Sequence, residues 1–232
     1  MAKGFFITGT DTGIGKTHAT LRLMQFLKAQ GLSVVGMKPV ASGASRVNGR
    51  WVNEDALALQ RESSIPVPYE WVNPFAFHLP VSPHIAAEVT GDIVKLDRIW
   101  RSFCRLSNLS DCVVVEGVGG WRVPLNAHED VADLAVMLKL PVLQVVGLRL
   151  GCINHARLTH ESMIGAGVNV GGWIANWLVP DLLCGAELMA SLSHGLGQEA
   201  VAELAFQLPG EDGPFSRNDH WNRNEILRLM AA

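Results

Sequence analysis

The stretch Gly9-Thr10-Asp11-Thr12-Gly13-Ile14-Gly15-Lys16-Thr17 constrains this chain more than any other. Phe5 to Thr8, just before it, is a short apolar run with β propensity. Ala19 to Leu27, just after it, carries leucine and methionine at helical spacing. Strand, glycine-rich turn and helix in that order let backbone N–H groups converge on one anion, with the positive end of the helix behind them. The natural guest is a polyphosphate, with Lys16 reaching its outer phosphates and the Thr17 hydroxyl available to Mg²⁺. Counted back from Gly15, the usual G-x-x-x-x-G-K-[ST] pattern places Thr10 where a glycine belongs, and Gly9 stands one residue early. The stretch therefore reads as a longer variant of the phosphate loop, and the plain alternative is a glycine-rich turn carrying a solvated lysine.

The rest of the sequence fits one globular body. Of 232 residues, 48% are hydrophobic and 18% charged, enough apolar material for a sizeable core, and residues 1–232 are expected to form a single domain. The net charge of −3, without a basic block, points away from nucleic acid and anionic membranes and toward small-molecule chemistry. Cys104, Cys112, Cys152 and Cys184 form neither a C-x-x-C pair nor a cysteine/histidine cluster, so free thiols are expected. The amino terminus lacks signal-peptide regions and no apolar run is long enough to span a bilayer, so a cytoplasmic location is expected.

Further along, Gly31 suits a helix end and Ser33 to Met37 reads as the next strand, followed by Lys38-Pro39-Val40-Ala41-Ser42-Gly43. In an open parallel sheet, ligands gather at the carboxyl ends of strands, which puts Lys38 beside the phosphate loop. Cys112 to Val115 is another apolar run, closed by Glu116, with Gly117, Gly119 and Gly120 opening the next loop. A carboxylate directly after a buried strand is either exposed at the rim or functional, and the glycines that open the next loop favour function. Asp55 lies in an acidic lead into a short helix, where it serves equally as a first-turn carboxylate. The proline-bearing stretch Arg61 to Asp92 reads as an irregular connection with a short helix from Ser82-Pro83-His84, where His84 is a packing or hydrogen-bonding residue. Helices are expected over Leu96 to Leu106 and Asp130 to Leu138, a strand over Pro141 to Val146, a helix from near Asn154, a strand over Asn169 to Ala175, and a surface helix over Asn218 to Met230. The alternation predicts an α/β fold, a doubly wound, mostly parallel sheet of about seven strands flanked by helices, P-loop NTPase-like.

Seven stretches, in order, resemble the dethiobiotin synthetase family: GTDTGIGKT from Gly9, KPVASG from Lys38, NEDALALQ from Asn53, NPFAF from Asn73, SPHIAA from Ser82, EGVGGW from Glu116 and LGCINH from Leu150. The resemblance implies an ATP-dependent cyclo-ligase of biotin synthesis that joins CO₂ to 7,8-diaminopelargonate and closes a cyclic urea through a carbamate and a mixed anhydride. It implies Lys16 and Lys38 as catalytic residues, with Thr17, Asp55 and Glu116 as ligands for Mg²⁺. It implies nucleotide contacts from Thr12, Gly13, Ile14, Gly15, Lys16, Thr17, His18, Asp55, Glu116, Gly117, Gly119, Asn176, Pro209 and Glu211. Asn176 would meet the adenine, an amide's donor and acceptor suiting a purine edge, although a turn residue before Pro180 fits the local sequence as well. Substrate contacts would come from Lys38 and Ser42 and, across a homodimer, from Gly151, Cys152 and Asn154, of which Asn154 serves equally as a helix cap. The likeness weakens beyond Pro180: Phe206 stands where the family usually has a glycine, and Leu188 where it sometimes has a tyrosine. Two other readings are an amide-forming P-loop ligase and a partition-type ATPase switch. The first usually needs a glutaminase partner; the second carries an early loop lysine where this chain has Thr10, Asp11 and Thr12.

Overall fold

A computed structural model describes residues 4–206 and 219–231. β1 (Gly4–Gly9) passes through the phosphate loop into α1 (Lys16–Ala29), and β2 (Val34–Met37) follows. Next come β3 (Val40–Ala41), a hairpin of β4 (Ser45–Val47) and β5 (Arg50–Val52), α2 (Glu54–Glu62), α3 (Tyr69–Val72), β6 (Phe75–Ala76), α4 (Pro83–Thr90) and α5 (Leu96–Ser107). The chain continues through β7 (Cys112–Glu116), α6 (Val131–Leu138), β8 (Val142–Leu148), α7 (Cys152–Gly165), β9 (Val170–Trp177), α8 (Gly185–Leu196), β10 (Ala202–Leu204), β11 (His220–Trp221) and α9 (Arg223–Ala231).

The main sheet has seven strands in the order β11-β10-β9-β8-β1-β7-β2, and every pair is parallel except β10 with β11. β1 is central because both of its faces are apolar. Phe5 and Ile7 pack with Leu23 and Leu27 of α1, while Phe6 packs into the cluster that holds Ile99 and Phe103 of α5. A strand covered on both sides needs an unbroken apolar run, which is what Gly4 to Ile7 and Cys112 to Val115 supply. The chain leaves β1 for the β2 edge, returns through β7, and only then crosses to β8, so the direction of winding reverses at β1. Such a switch point opens a crevice at the carboxyl ends of the strands.

Several expectations change in detail. The strand expected to end at Ala175 runs on to Trp177, because Gly147 and Leu148 of β8 still pair with Asn176 and Trp177; Asn176 therefore sits within β9 rather than after it. α7 starts at Cys152, capped by Gly151 at φ 91, a left-handed conformation that glycine adopts without strain. Asn154 lies inside the first turn and is not the cap. The stretch expected to be irregular between Arg61 and Asp92 contains α3 and β6 as well as α4. The expected surface helix is shorter, preceded by β11, and not merely superficial, since Ile226 and Leu229 are buried against the α1 side of the sheet.

Candidate active site

The phosphate loop is shaped by two left-handed glycines, Gly13 at φ 74 and Gly15 at φ 85. A Cβ on Gly15 would stand 2.1 Å from the Asn176 amide nitrogen, so glycine is needed there for space as well as for its dihedral. That amide donates to the Ile14 carbonyl at 2.9 Å and ties the loop to β9. Lys16 folds over the loop, its ammonium donating to the Asp11 carbonyl at 2.7 Å. The Asp11 carboxylate accepts from the Thr12 N–H at 2.7 Å and pairs with Arg149, at 2.8 Å, from the loop after β8. Burial, and after it the neighbouring Lys38 charge, lower the Lys16 pKa to about 8.

β1, β2 and β7 set the charged centre by register. Ile7 lies beside Glu116, and Met37 beside Val115, so Lys38 and Glu116 emerge next to each other from adjacent strands. Glu116 is completely buried and Lys38 only 5% exposed. The lysine ammonium bonds Glu116 Oε1 directly and lies 3.3 Å from Asp55 Oδ2. Glu116 Oε1 also accepts from the Thr17 hydroxyl at 2.8 Å. Burial alone would lower the Lys38 pKa; Glu116, and after it Asp55, outweigh burial and hold the ammonium above the ordinary lysine value. Asn53 caps α2 by accepting from the Ala56 N–H, and so presents Asp55 in the first turn.

These groups face a cleft of about 700 Å³. Thr12, Gly13, Gly15, Lys16, Thr17, Lys38, Ser42, Asp55, Glu116 and Gly119, all expected from the sequence, line it. Among the described residues Ser42 Oγ and Glu116 Oε2 are buried without a hydrogen-bond partner, two polar atoms left open to a guest. Lys38 is not an exposed lysine ahead of a turn, since it is 5% exposed and bridges two carboxylates.

Other expected residues lie elsewhere. Ile14, Gly117 and Asn176 are buried behind the cleft wall, Gly117 donating its N–H to the Ile7 carbonyl at 2.9 Å. His18 sits half-buried on α1, with its pKa lowered by burial and then by the Arg22 charge. Gly151 and Asn154, with Leu188, line a separate groove of about 940 Å³ between α7 and α8, and Cys152 is buried beneath it. Within one chain they do not meet Lys38. Pro209 and Glu211 lie outside the described residues. His84 shares a 3.0 Å hydrogen bond with Ser82, as expected of a hydrogen-bonding histidine. Asn53, Pro80, Val81, Ser82 and Pro83 also line the cleft and were not picked out as site residues; the Asn53-Glu54-Asp55 and Ser82-Pro83-His84 stretches were the available signals. All four cysteines are free thiols. Among the described residues no helix is long and apolar enough to cross a membrane.

A parallel sheet, a glycine loop at its switch point, and a lysine, threonine and acidic cluster at the strand ends define a P-loop nucleoside-triphosphate-binding protein. A family model described as an AAA domain matches residues 3–207. Solved structures with the same fold include a ParA family ATPase from Chlorobium tepidum TLS, with TM-score 0.55, 10% identity, and coverage of 100% of this chain and 91% of that one. Chloroplast FtsY from Physcomitrella patens matches with TM-score 0.56 and 16% identity over 100% of this chain and 66% of its own. Sequence relatives are closer. The ATP-dependent dethiobiotin synthetase BioD of Xanthomonas oryzae pv. oryzae (strain PXO99A) is 50% identical over 178 residues, 77% of this chain and 80% of its own. That of Cellvibrio japonicus (strain Ueda107) is 50% identical over 193 residues, 83% and 84% of the two chains. That of Xanthomonas axonopodis pv. citri (strain 306) is 49% identical over 208 residues, 90% and 92%. The chain belongs to the dethiobiotin synthetase family, and so is an enzyme of the C–N bond-forming ligase class.

Proposed function

We propose that this enzyme carboxylates 7,8-diaminopelargonate with CO₂ and closes the cyclic urea of dethiobiotin, converting ATP to ADP and phosphate. The observation that supports this reading most strongly is the single cleft in which the phosphate loop, Lys38 and the unpartnered Ser42 hydroxyl converge. One substrate amine adds its lone pair to CO₂ and loses a proton, giving a carbamate. A carbamate oxygen attacks the γ-phosphorus of ATP and ADP leaves. The second amine then attacks the carbamoyl carbon; a proton is lost, the C–O bond to phosphate breaks, and the ring closes.

Each step gathers negative charge, so charge stabilisation and positioning carry the catalysis. In this reading Lys16, released from the Asp11 carbonyl, holds the transferred phosphoryl group, and the Lys38 ammonium offsets the carbamate and the anhydride. Ser42 donates to a carbamate oxygen. The loop residues Thr12 to His18, together with Gly117, Gly119 and Asn176, shape the nucleotide side. Gly151, Cys152 and Asn154 would receive the substrate's carboxylate tail at the start of α7 of a second copy, which accounts for their distance from Lys38 within one chain.

The donor set suits Mg²⁺. Among the described residues no three histidine, cysteine or acidic side chains gather into a self-sufficient metal site. The Thr17 hydroxyl, Asp55 and Glu116, with its free Oε2, instead offer the few oxygens this ion takes beside water and phosphate. Bound there, it would neutralise charge on the β- and γ-phosphates. The test measures phosphate release from ATP with Mg²⁺ and bicarbonate, with and without the diamine, and follows product by mass. Dethiobiotin appearing in step with phosphate supports the proposal; ATP binding without diamine stimulation refutes it.

A further inference from the structure

Lys38 is held from behind by a segment that does not line the cleft. The Lys38 N–H donates to the Val72 carbonyl at 2.9 Å, and the Lys38 carbonyl accepts from Asn73 Nδ2 at 2.7 Å. Asn73 Nδ2 also donates to the Phe75 carbonyl at 3.1 Å, which fixes the amide plane. At its other end Asn73 Oδ1 accepts from the Tyr69 hydroxyl at 2.8 Å. That hydroxyl accepts in turn from the Asn53 N–H, also at 2.8 Å. Asn53 completes the path, donating from Nδ2 to the Ser42 carbonyl at 3.3 Å while its Oδ1 caps α2.

One line of hydrogen bonds thus joins the peptide of Lys38, the loop that carries Ser42 and the helix start that carries Asp55. Asn73 is buried, so its amide must be satisfied within the protein, and each of its bonds is directional. We propose that Tyr69 and Asn73 are positioning residues for ring closure, setting the relative placement of the Lys38 ammonium, Ser42 and Asp55. This rests on the roles assigned to those three residues above. The physical ground is geometric: Lys38 must bridge two carboxylates, one at 3.3 Å, and an error of about 1 Å at a reacting group can reduce rate by roughly 100-fold. None of the bonds in this line reaches residues 9–17, whose loop is tied to β8 through Thr10 N–H and the Val145 carbonyl and to β9 through Asn176. The network therefore bears on the carbamate end of the cleft and, through Asp55, on the proposed metal position, and not on the phosphate loop itself.

The phenol oxygen of Tyr69 is the one atom that both asparagines share, so Tyr69→Phe is the test, made in the full chain. Dethiobiotin formation is measured with Mg²⁺-ATP, bicarbonate and diamine, beside ADP affinity and amide hydrogen exchange. The expected result is kcat lower by roughly tenfold or more, as when an outer hydrogen-bonding partner of an active group is removed. ADP affinity measured without Mg²⁺ should stay within about twofold, and the Asn53 amide should exchange faster. Asn73→Ser, which shortens the donor to the Lys38 carbonyl, should show the same split between kcat and nucleotide affinity. Unchanged kcat in Tyr69→Phe despite faster Asn53 exchange would overturn the proposal. So would a parallel fall of kcat and ADP affinity in both variants, which marks general loosening. Wild-type enzyme without diamine-dependent product would instead refute the ring-closure reading, and this inference with it.

Discussion

Lys38→Met should destabilise the ligand-free protein more than most single substitutions, because of what it strands. Glu116 is fully buried, its Oε2 has no partner among the described residues, and its Oε1 is shared by the Lys38 ammonium and the Thr17 hydroxyl. Removing the ammonium leaves a buried carboxylate with one neutral hydrogen bond, a situation that typically costs about 3–5 kcal/mol. Glu116→Gln should cost less, about 1–3 kcal/mol, because an amide oxygen still accepts from Thr17 and Lys38 keeps Asp55 at 3.3 Å. In the double variant no buried charge is stranded, so its loss should fall short of the sum of the two by about 0.5–3 kcal/mol. Urea unfolding of the nucleotide- and metal-free protein measures all three, with an unchanged m-value as the control for two-state behaviour. A Lys38→Met loss below about 1 kcal/mol, together with additivity in the double variant, would refute the claim that these two charges depend on each other. The same variants should all lack ring-closing activity, so stability and turnover separate: the double variant loses less stability than the two single losses together and is no more active.

Lys16→Ala should abolish ATP turnover and leave thermal unfolding near the wild-type temperature, since among the described residues the side chain's one direct hydrogen bond is to a loop carbonyl; retained turnover would remove it from the phosphate site. Gly15→Ala should weaken nucleotide binding at least about tenfold by forcing the loop off Asn176. Gly31→Ala, at φ 84 with open space where the new Cβ would stand, should cost only about 1 kcal/mol and leave nucleotide affinity unchanged by calorimetry. Burial, and after it Asp111, push the Cys112 thiol from 9.0 up to about 12. The folded chain therefore keeps a proton that the unfolded chain releases, and stability falls as pH rises from 9 toward 12. Cys112→Ala should make that fall shallower by about 1.4 kcal/mol per pH unit, and an unchanged slope in urea melts at alkaline pH would contradict it.

The parts of this site that could be read in the sequence are those where one polar residue ends an apolar run. Lys38 after Val34–Met37 and Glu116 after Val113-Val114-Val115 sit where a parallel sheet gathers its chemistry, and strand register alone brings them together. What could not be read are partnerships between residues far apart in sequence. Nothing local to Tyr69 says that its hydroxyl meets Asn53 and Asn73, and nothing local to Asp11 points to Arg149, 138 positions on. The β4–β5 hairpin was missed although Asn48-Gly49 between its strands is a turn signal, because the strands are three residues each and largely exposed. Asn176 shows how the two kinds of information differ. Its sequence position marked a strand end, which pairing with Gly147 displaced by two residues, and its side chain turned out to brace Gly15. An amide that donates to the Ile14 carbonyl has its acceptor oxygen left for a ligand, so the residue proposed to read the base is also the one that fixes the loop holding the phosphates. On that proposal base recognition and phosphate binding would be mechanically coupled, and a substitution at Asn176 would disturb both.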